Sequence, residues 1–252
     1  MKRSLFLAVG VAVLLSTAAS AVPVLQLDIA GGRYDRSSET IVTSADAFTV
    51  YAYATPSGNV RSSSILGTTF YLSVALTPET NRNGANLGSF TVNGRTYLAT
   101  QDMTFGVPPI ETNGTAAHDG GDLGNHGVYS THFVEIPFTF TAANRSGEYN
   151  TANSAGQGPI AGNDMYYAAF SVDKSLLSDS KQLHFDLYSV TARSSGGNGN
   201  RGTIDRDINR FAPFSHDAGT VAPPGAPVPE PTAALVFGTA LVLTSYSTRR
   251  RS

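Results

Sequence analysis

The stretch Gly88-Ser-Phe-Thr-Val-Asn-Gly-Arg-Thr-Tyr-Leu-Ala-Thr100 decides the fold class, because two alternating runs of apolar and polar residues flank a two-residue turn. Asn93 and Gly94 both tolerate a positive φ, which a type I′ hairpin turn requires. This turn would place Phe90 opposite Tyr97, and such an aromatic pair would fix the register of the two strands. The sequence therefore predicts an antiparallel hairpin here.

The same alternation continues through residues 22–220 and predicts strands that are buried on one face. The apolar faces are Leu25, Leu27 and Ile29; Phe48, Val50 and Ala52; Phe70, Leu72, Val74 and Leu76; Tyr166, Ala168, Phe170 and Val172; and Leu183, Phe185 and Leu187. In the last run, His184, Asp186 and Tyr188 are predicted to face outward. Residues 173–180 are the one internal segment that could form a turn or two of helix. Short runs divided by Gly, Asn, Ser and Pro favour an all-β antiparallel sandwich, of jelly-roll or immunoglobulin-like type.

The composition narrows the function classes. The chain has 252 residues, of which 41% are hydrophobic and 14% charged, and it has no cysteine. The lack of cysteine excludes disulfides, thiolate metal sites and a cysteine nucleophile. Five of the 17 basic residues and one of the 19 acidic residues lie outside residues 22–228, so this region carries 12 basic and 18 acidic residues. This acidic balance argues against nucleic-acid binding, which needs a basic surface.

The N-terminus is typical of a secretory signal peptide over residues 1–21. Lys2 and Arg3 precede an apolar run, and small residues then end at Ala19-Ser20-Ala21. Signal peptidase is expected to cleave after Ala21, so that the mature chain starts at Val22. The protein is therefore predicted to be exported through the inner membrane.

The C-terminus has three parts. Residues 221–228 form a proline-rich linker, which is expected to be extended. Pro229-Glu230-Pro231 follows, and residues 232–246 then carry no charge. As a helix these fifteen residues would be about 22 Å long, which is marginal for a bilayer core of about 30 Å. Arg249-Arg250-Arg251 would hold the end of this helix in the cytoplasm.

This combination resembles the PEP-CTERM sorting signal over residues 229–252. The resemblance implies recognition by exosortase, a membrane cysteine transpeptidase, after transient anchoring in the inner membrane. Cleavage near Pro229-Glu230-Pro231 would deliver the protein to the cell surface or the extracellular polysaccharide matrix. The alternative is a C-terminal membrane anchor that is never cut.

The segment from Asp122 to Phe140 resembles part of the "choice-of-anchor N" proteins, which are secreted domains found with such tails. Similar segments are Leu25–Tyr34, Leu183–Tyr188 and Ala212–Asp217. The resemblance implies a surface β-domain without an assigned activity, and it supplies no catalytic residue.

One glycine-rich loop gathers residues that suit a metal. His118, Asp119, Asp122 and His126 lie within it, and His132 follows. Imidazole suits zinc or copper, and carboxylate suits calcium. The spacing matches no metalloprotease motif. The alternative is a solvated loop with one partly buried, hydrogen-bonded histidine at position 132.

Residues 194–207 combine Asn, Asp and Gly in a way that is typical of oxygen-rich calcium loops. Asp205 and Asp207 would share one face of an extended segment, but the EF-hand spacing is not met. The alternatives to calcium are a flexible loop, and ion pairs of Asp205 and Asp207 with Arg201, Arg206 and Arg210.

The sequence contains no nucleophile elbow, phosphate-binding loop or dinucleotide fingerprint. We therefore expect a non-catalytic module with a structural or binding role. The binding hypothesis rests on five tyrosines that could stack on extracellular polysaccharide: Tyr51, Tyr53, Tyr71, Tyr166 and Tyr167. The alternative for these tyrosines is a second apolar layer. A calcium-dependent or hydrolytic extracellular enzyme stays open as the other function.

Overall fold

A computed structural model describes residues 24–57, 60–116, 119–194 and 204–223. Both predicted sorting signals, with Ala19, Ala21, Val22, Pro229–Pro231 and Arg249–Arg251, lie outside these residues. No helix in these four ranges is long and apolar enough to cross a membrane.

The described residues are almost entirely in strands and loops. In chain order the strands are β1 (Leu25–Ile29), β2 (Arg33–Asp35), β3 (Thr40–Thr43), β4 (Ala47–Ala54), β5 (Phe70–Thr77), β6 (Ser89–Val92), β7 (Arg95–Leu98), β8 (Thr104–Gly106), β9 (Thr131–Phe138), β10 (Arg145–Ser146), β11 (Met165–Asp173), β12 (Gln182–Ser194), β13 (Ile204–Phe211) and β14 (Ala218–Thr220). A single helical turn, α1 (Ser62–Leu66), precedes β5, and a 3₁₀ turn (Phe214–His216) precedes β14.

The strands form two sheets. Sheet A has the order β1-β4-β11-β6-β7, with β10 paired to β11. Sheet B has the order β2-β3-β14-β12-β5-β9-β8, with β13 also paired to β12. Among the described ladders only β3–β14 is parallel. The prediction of an all-β sandwich is confirmed, and the parallel pair is an addition to the antiparallel pattern.

The core lies between the two sheets and consists of the predicted apolar faces. Leu27, Val50 and Phe170 of sheet A pack in one cluster with Leu72 and Phe185 of sheet B. Because side chains alternate along a strand, each sheet contributes every second residue to this layer. The alternation in the sequence therefore identified the inner face of both sheets.

The predicted hairpin is present. Asn93 and Gly94 have φ values of 50° and 77°, as a type I′ turn requires. Phe90 pairs with Tyr97 in the β6–β7 register, and their rings stack with centroids 5.5 Å apart.

The outer faces depart from the prediction. Gln26 and Asp28 on β1 are fully buried, because residues 149–158 cover sheet A and bond to both side chains. His184 and Asp186 on β12 were predicted to face outward, and they do point away from the core, but they are only 6% and 4% exposed. The outward prediction is thus wrong in terms of exposure, because a loop covers sheet B.

The helical predictions also need correction. Residues 173–180 form turns after β11 and contain no helix, whereas α1 at Ser62–Leu66 was not predicted. Only Ile65 of this helix is buried, so the sequence offers no amphipathic pattern that would identify it.

Candidate metal centre

Strand β12 places two potential metal ligands on the outer face of sheet B. His184 and Asp186 are two residues apart, so their side chains project from the same face. Their neighbours Leu183, Phe185 and Leu187 project into the core. The His184 Nε2 atom lies 3.3 Å from Asp186 Oδ1. A histidine and a carboxylate therefore meet on a rigid central strand.

The loop that covers this face contributes His126. The His126 ring stacks on Phe214, with centroids 4.2 Å apart and planes at 14°. Its Nδ1 atom lies 3.1 Å from the Gly124 carbonyl oxygen, which can only accept a hydrogen bond. Without a metal, His126 Nε2 faces Asp186 Oδ1 at 3.2 Å and can donate a hydrogen bond to this carboxylate. With a metal, Nδ1–H would donate to the Gly124 carbonyl oxygen and leave the Nε2 lone pair for the ion. Metal-bound histidines are commonly oriented in this way.

Asp217 completes the group from the residue that follows the 3₁₀ turn. It reaches β12 because β14 pairs with this strand, and Gly219 lies opposite His184. Asp217 Oδ2 is 3.4 Å from His184 Nε2. Its other oxygen, Oδ1, is buried and accepts no hydrogen bond from the described part of the chain. We refer to His126, His184, Asp186 and Asp217 as the His/Asp cluster.

The distances within the His/Asp cluster fit one small cation. The four ligand atoms lie within 4.8 Å of one another. The two Nε2 atoms are 3.1 Å apart, and His126 Nε2 is 3.2 Å from Asp186 Oδ1. A tetrahedral zinc with ligands at about 2.0–2.2 Å would hold neighbouring ligand atoms about 3.3–3.6 Å apart. The observed contacts of 3.1–3.4 Å are close to these edges.

The electrostatics of the cluster also suit a cation. Burial raises the pKa of Asp217 to about 7, and the neighbouring charge of Asp186 acts in the same direction. Burial acts to lower the pKa of His184, but the carboxylates of Asp186 and Asp217 outweigh it and raise the pKa. Without a metal, protons on these groups must offset two buried carboxylates. A divalent cation would supply the same charge at one point.

A hydrogen bond from outside the His/Asp cluster holds the Asp186 carboxylate in place. The Tyr129 hydroxyl donates a hydrogen bond of 2.6 Å to Asp186 Oδ2, and it lies 3.0 Å from Ser73 Oγ. Asp186 Oδ1 therefore remains for the cluster while Oδ2 is bound to the covering loop. Such support fixes the orientation of a metal ligand.

The structure separates the residues that the sequence placed in one candidate metal loop. His126 joins the His/Asp cluster, whereas Asp119 and Asp122 lie elsewhere, beside Asp205 and Asp207 of β13. His118 lies outside the described residues. His132 is buried and bonds through Nδ1 to the Thr80 hydroxyl at 2.6 Å, which is the structural role weighed as its alternative.

Sequence reasoning missed His184, Asp186 and Asp217 as ligands. The His-x-Asp spacing in β12 was the available signal, but both residues were assigned to an exposed face. Asp217 gave no signal, since only the β12–β14 pairing brings it near.

The two other sequence hypotheses concern the aspartates of β13 and a set of five tyrosines. Arg206 pairs with Glu135 at 3.0 Å, and the Asp205 carboxylate lies beside those of Glu111 and Asp119. None of the five tyrosines considered for sugar stacking is exposed, and Tyr53 packs with Tyr149 in a small second core. Tyr51 and Tyr167 pack against this small core, Tyr166 joins the main core, and Tyr71 stacks on Tyr188.

Comparison of the chain with protein-family models, curated proteins and solved structures gives no match.

Proposed function

We propose that this chain is an exported surface protein whose β-sandwich binds one divalent transition metal ion, with zinc the best fit. The observation that carries the proposal is the convergence of four ligand atoms in the His/Asp cluster, with four of their six separations at 3.1–3.4 Å. Two imidazoles and two carboxylates are ligands that zinc accepts.

The metal has a structural role in this proposal. All four positions of a tetrahedral ion would be filled by protein, which is typical of structural zinc sites. The ligands come from β12, from the loop before β9 and from the residue before β14. One ion would therefore fasten two connecting segments to the central strand of sheet B. This role accords with a non-catalytic module that lacks disulfides.

Metal binding is tested on the mature, exported chain after treatment with a chelator. We expect calorimetry to give one zinc ion per chain, and Co²⁺ to give the visible absorption of a tetrahedral site. His126→Gln and Asp217→Asn should each weaken zinc binding at least tenfold. His132→Gln is the matched control, because it changes a buried histidine outside the cluster and should bind zinc like the wild type. Equal zinc affinity in all four proteins would refute the proposal.

A metal-dependent hydrolase is the second candidate. It is favoured by a cavity of about 410 Å³ that His126, His184 and Asp217 line together with hydroxyl groups of Ser38 and Thr40. A turnover screen of the zinc-loaded chain on polysaccharides and esters separates the two functions. Activity that the His126→Gln substitution abolishes would favour the enzyme.

We further propose that exosortase processes the C-terminus and that the domain becomes part of the cell surface or its polysaccharide matrix. The support is the order of the PEP tripeptide, apolar segment and arginines in the sequence. Replacement of Pro229, Glu230 and Pro231 by alanine should block processing, because the prolines on both sides of Glu230 keep this peptide extended.

The control for this experiment replaces the three terminal arginines by lysine, which keeps the positive charge and should leave processing intact. A gel shift between precursor and mature chain is the measurement, in a host that carries the enzyme. Normal processing of the alanine variant would show that the tail is an ordinary anchor.

A further inference from the structure

A second group of carboxylates lies beside β13 of sheet B, away from the His/Asp cluster. Glu111, Asp119 and Asp205 come from separate segments, yet their carboxylate oxygens lie within 4.8 Å of one another. We call these three residues the acidic cluster. Asp205 is on β13, and the other two residues belong to the long connection between β8 and β9.

Glu111 gives an independent indication that a ligand belongs here. Its side chain is only 6% exposed. Oε2 accepts a hydrogen bond of 3.0 Å from the Arg206 backbone, whereas Oε1 is buried without a hydrogen-bond donor among the described residues. A buried carboxylate oxygen without a donor carries an energetic penalty, which a bound cation would remove.

The charges around Glu111 favour a cation as the missing partner. Burial raises the pKa of Glu111, and the charges of Asp205 and Asp119 raise it further. The Arg206 charge acts in the opposite direction and lowers the pKa of Glu111, but its guanidinium pairs with Glu135 and with the Ile110 carbonyl oxygen. Three carboxylates thus share a small volume with little positive charge directed at it.

Two more carboxylates line the adjoining cavity of about 540 Å³, those of Asp122 and Asp207. Gly121 permits this arrangement, since a Cβ atom at this position would lie 1.7 Å from Asp207 Oδ1. The Gly121 carbonyl oxygen also accepts a hydrogen bond of 2.8 Å from the Ile208 amide, which joins the loop to β13. The site therefore has further oxygen atoms within the same recess.

We propose that Glu111, Asp119 and Asp205 bind a hard divalent cation, Ca²⁺, beside the recess that Asp122 and Asp207 also line. The three carboxylates are all oxygen donors, which distinguishes this site from the nitrogen-containing His/Asp cluster. Oxygens on opposite sides of Ca²⁺ are about 4.6–5.2 Å apart, so the observed spread fits within one coordination sphere. The ion would tie β13 to the connection before β9.

The experiment uses the mature chain, freed of metal and then saturated with zinc so that the His/Asp cluster stays in one state. Calcium is added in a calorimetric titration and in a thermal unfolding series. We expect one Ca²⁺ per chain and a higher unfolding temperature. Glu111→Gln keeps the size of the side chain but removes its charge, and it should weaken Ca²⁺ binding at least tenfold.

Glu148→Gln is the control, because it neutralises an exposed glutamate elsewhere and should bind Ca²⁺ like the wild type. Glu111→Gln should also fold without calcium, since it relieves repulsion among three carboxylates. Two results would overturn the proposal: no calcium-dependent heat or stabilisation in the wild type, or unchanged Ca²⁺ affinity in Glu111→Gln. Loss of zinc binding alone would leave this calcium result intact, so the two sites are tested separately.

Discussion

Tyr149 shows how a single buried hydroxyl group secures the covering layer of sheet A. Its oxygen lies 2.9 Å from Asp28 Oδ2 and 2.8 Å from the Tyr53 hydroxyl. We predict that Tyr149→Phe lowers the free energy of unfolding by about 1–3 kcal/mol, because Asp28 loses a donor while its carboxylate stays buried. Urea denaturation measures the loss. Tyr167→Phe, at a half-buried tyrosine of the same cluster, should cost clearly less, and equal losses would contradict this explanation.

His132 should make the folded state less stable as the pH falls. Burial lowers its pKa below the usual value of 6.5. As the pH falls below about 6.5, the unfolded chain takes up this proton before the folded chain does, so the folded state loses stability. We predict that the stability advantage of the wild type over His132→Gln shrinks as the pH is lowered from 8 to 5. Denaturant unfolding at both pH values is the measurement, and a constant difference would contradict it.

At the scale of single residues, the sequence indicated histidine and aspartate as candidate ligands, but it did not show which of them lie together in space. His126 was a predicted ligand, but the loop that carries it divides between two clusters. Its aspartates reach β13 and its histidine reaches β12. Sequence distance could not reveal this division, because both clusters depend on strand pairing between distant segments.

Among the secondary-structure elements, the β6–β7 hairpin offers a direct test of how turn conformation contributes to stability. Asn93 has a positive φ, and its Oδ1 accepts a hydrogen bond of 2.9 Å from the Ser171 amide on β11. We predict that Asn93→Val destabilises the protein by about 1–3 kcal/mol, because a β-branched residue is strained at this φ. Asn93→Gly keeps the turn conformation and should cost less. Equal losses for the two variants in a denaturant titration would show that the hydrogen bond, which both remove, matters more than the backbone.

The inner faces of the long strands were predictable from alternation, whereas the cover on their outer faces was not. Strand β5 was identified because Phe70, Leu72, Val74 and Leu76 alternate with smaller or polar residues. The short parallel strands β3 and β14 were missed, since three paired residues are too few for a period to appear. The polar outer residues of β12 predicted a solvent-exposed face. The loop that buries them is distant in the sequence, so it reaches β12 only in the folded chain.

For the whole molecule, the predicted signals at both ends have a direct test. We predict that the surface-exposed form starts at Val22 and lacks the apolar segment after Pro231, because both ends match processing signals. Intact mass and N-terminal sequencing of the surface fraction measure this. Full-length chain ending at Ser252 in that fraction would contradict the prediction.

The order of strands along the chain sets when this domain can fold. The longest ladders of β4 and β5 are with β11 and β12. Neither ladder can form before the strands that begin at residues 165 and 182 are present. A chain emerging N-terminus first therefore exposes most of its ladder edges until two thirds of it has been synthesised. High contact order of this kind is typical of folding in about milliseconds to seconds. For the exported chain that we propose, this late closure would leave β4 and β5 without these partners during translocation, and β11 and β12 would complete the two sheets afterwards.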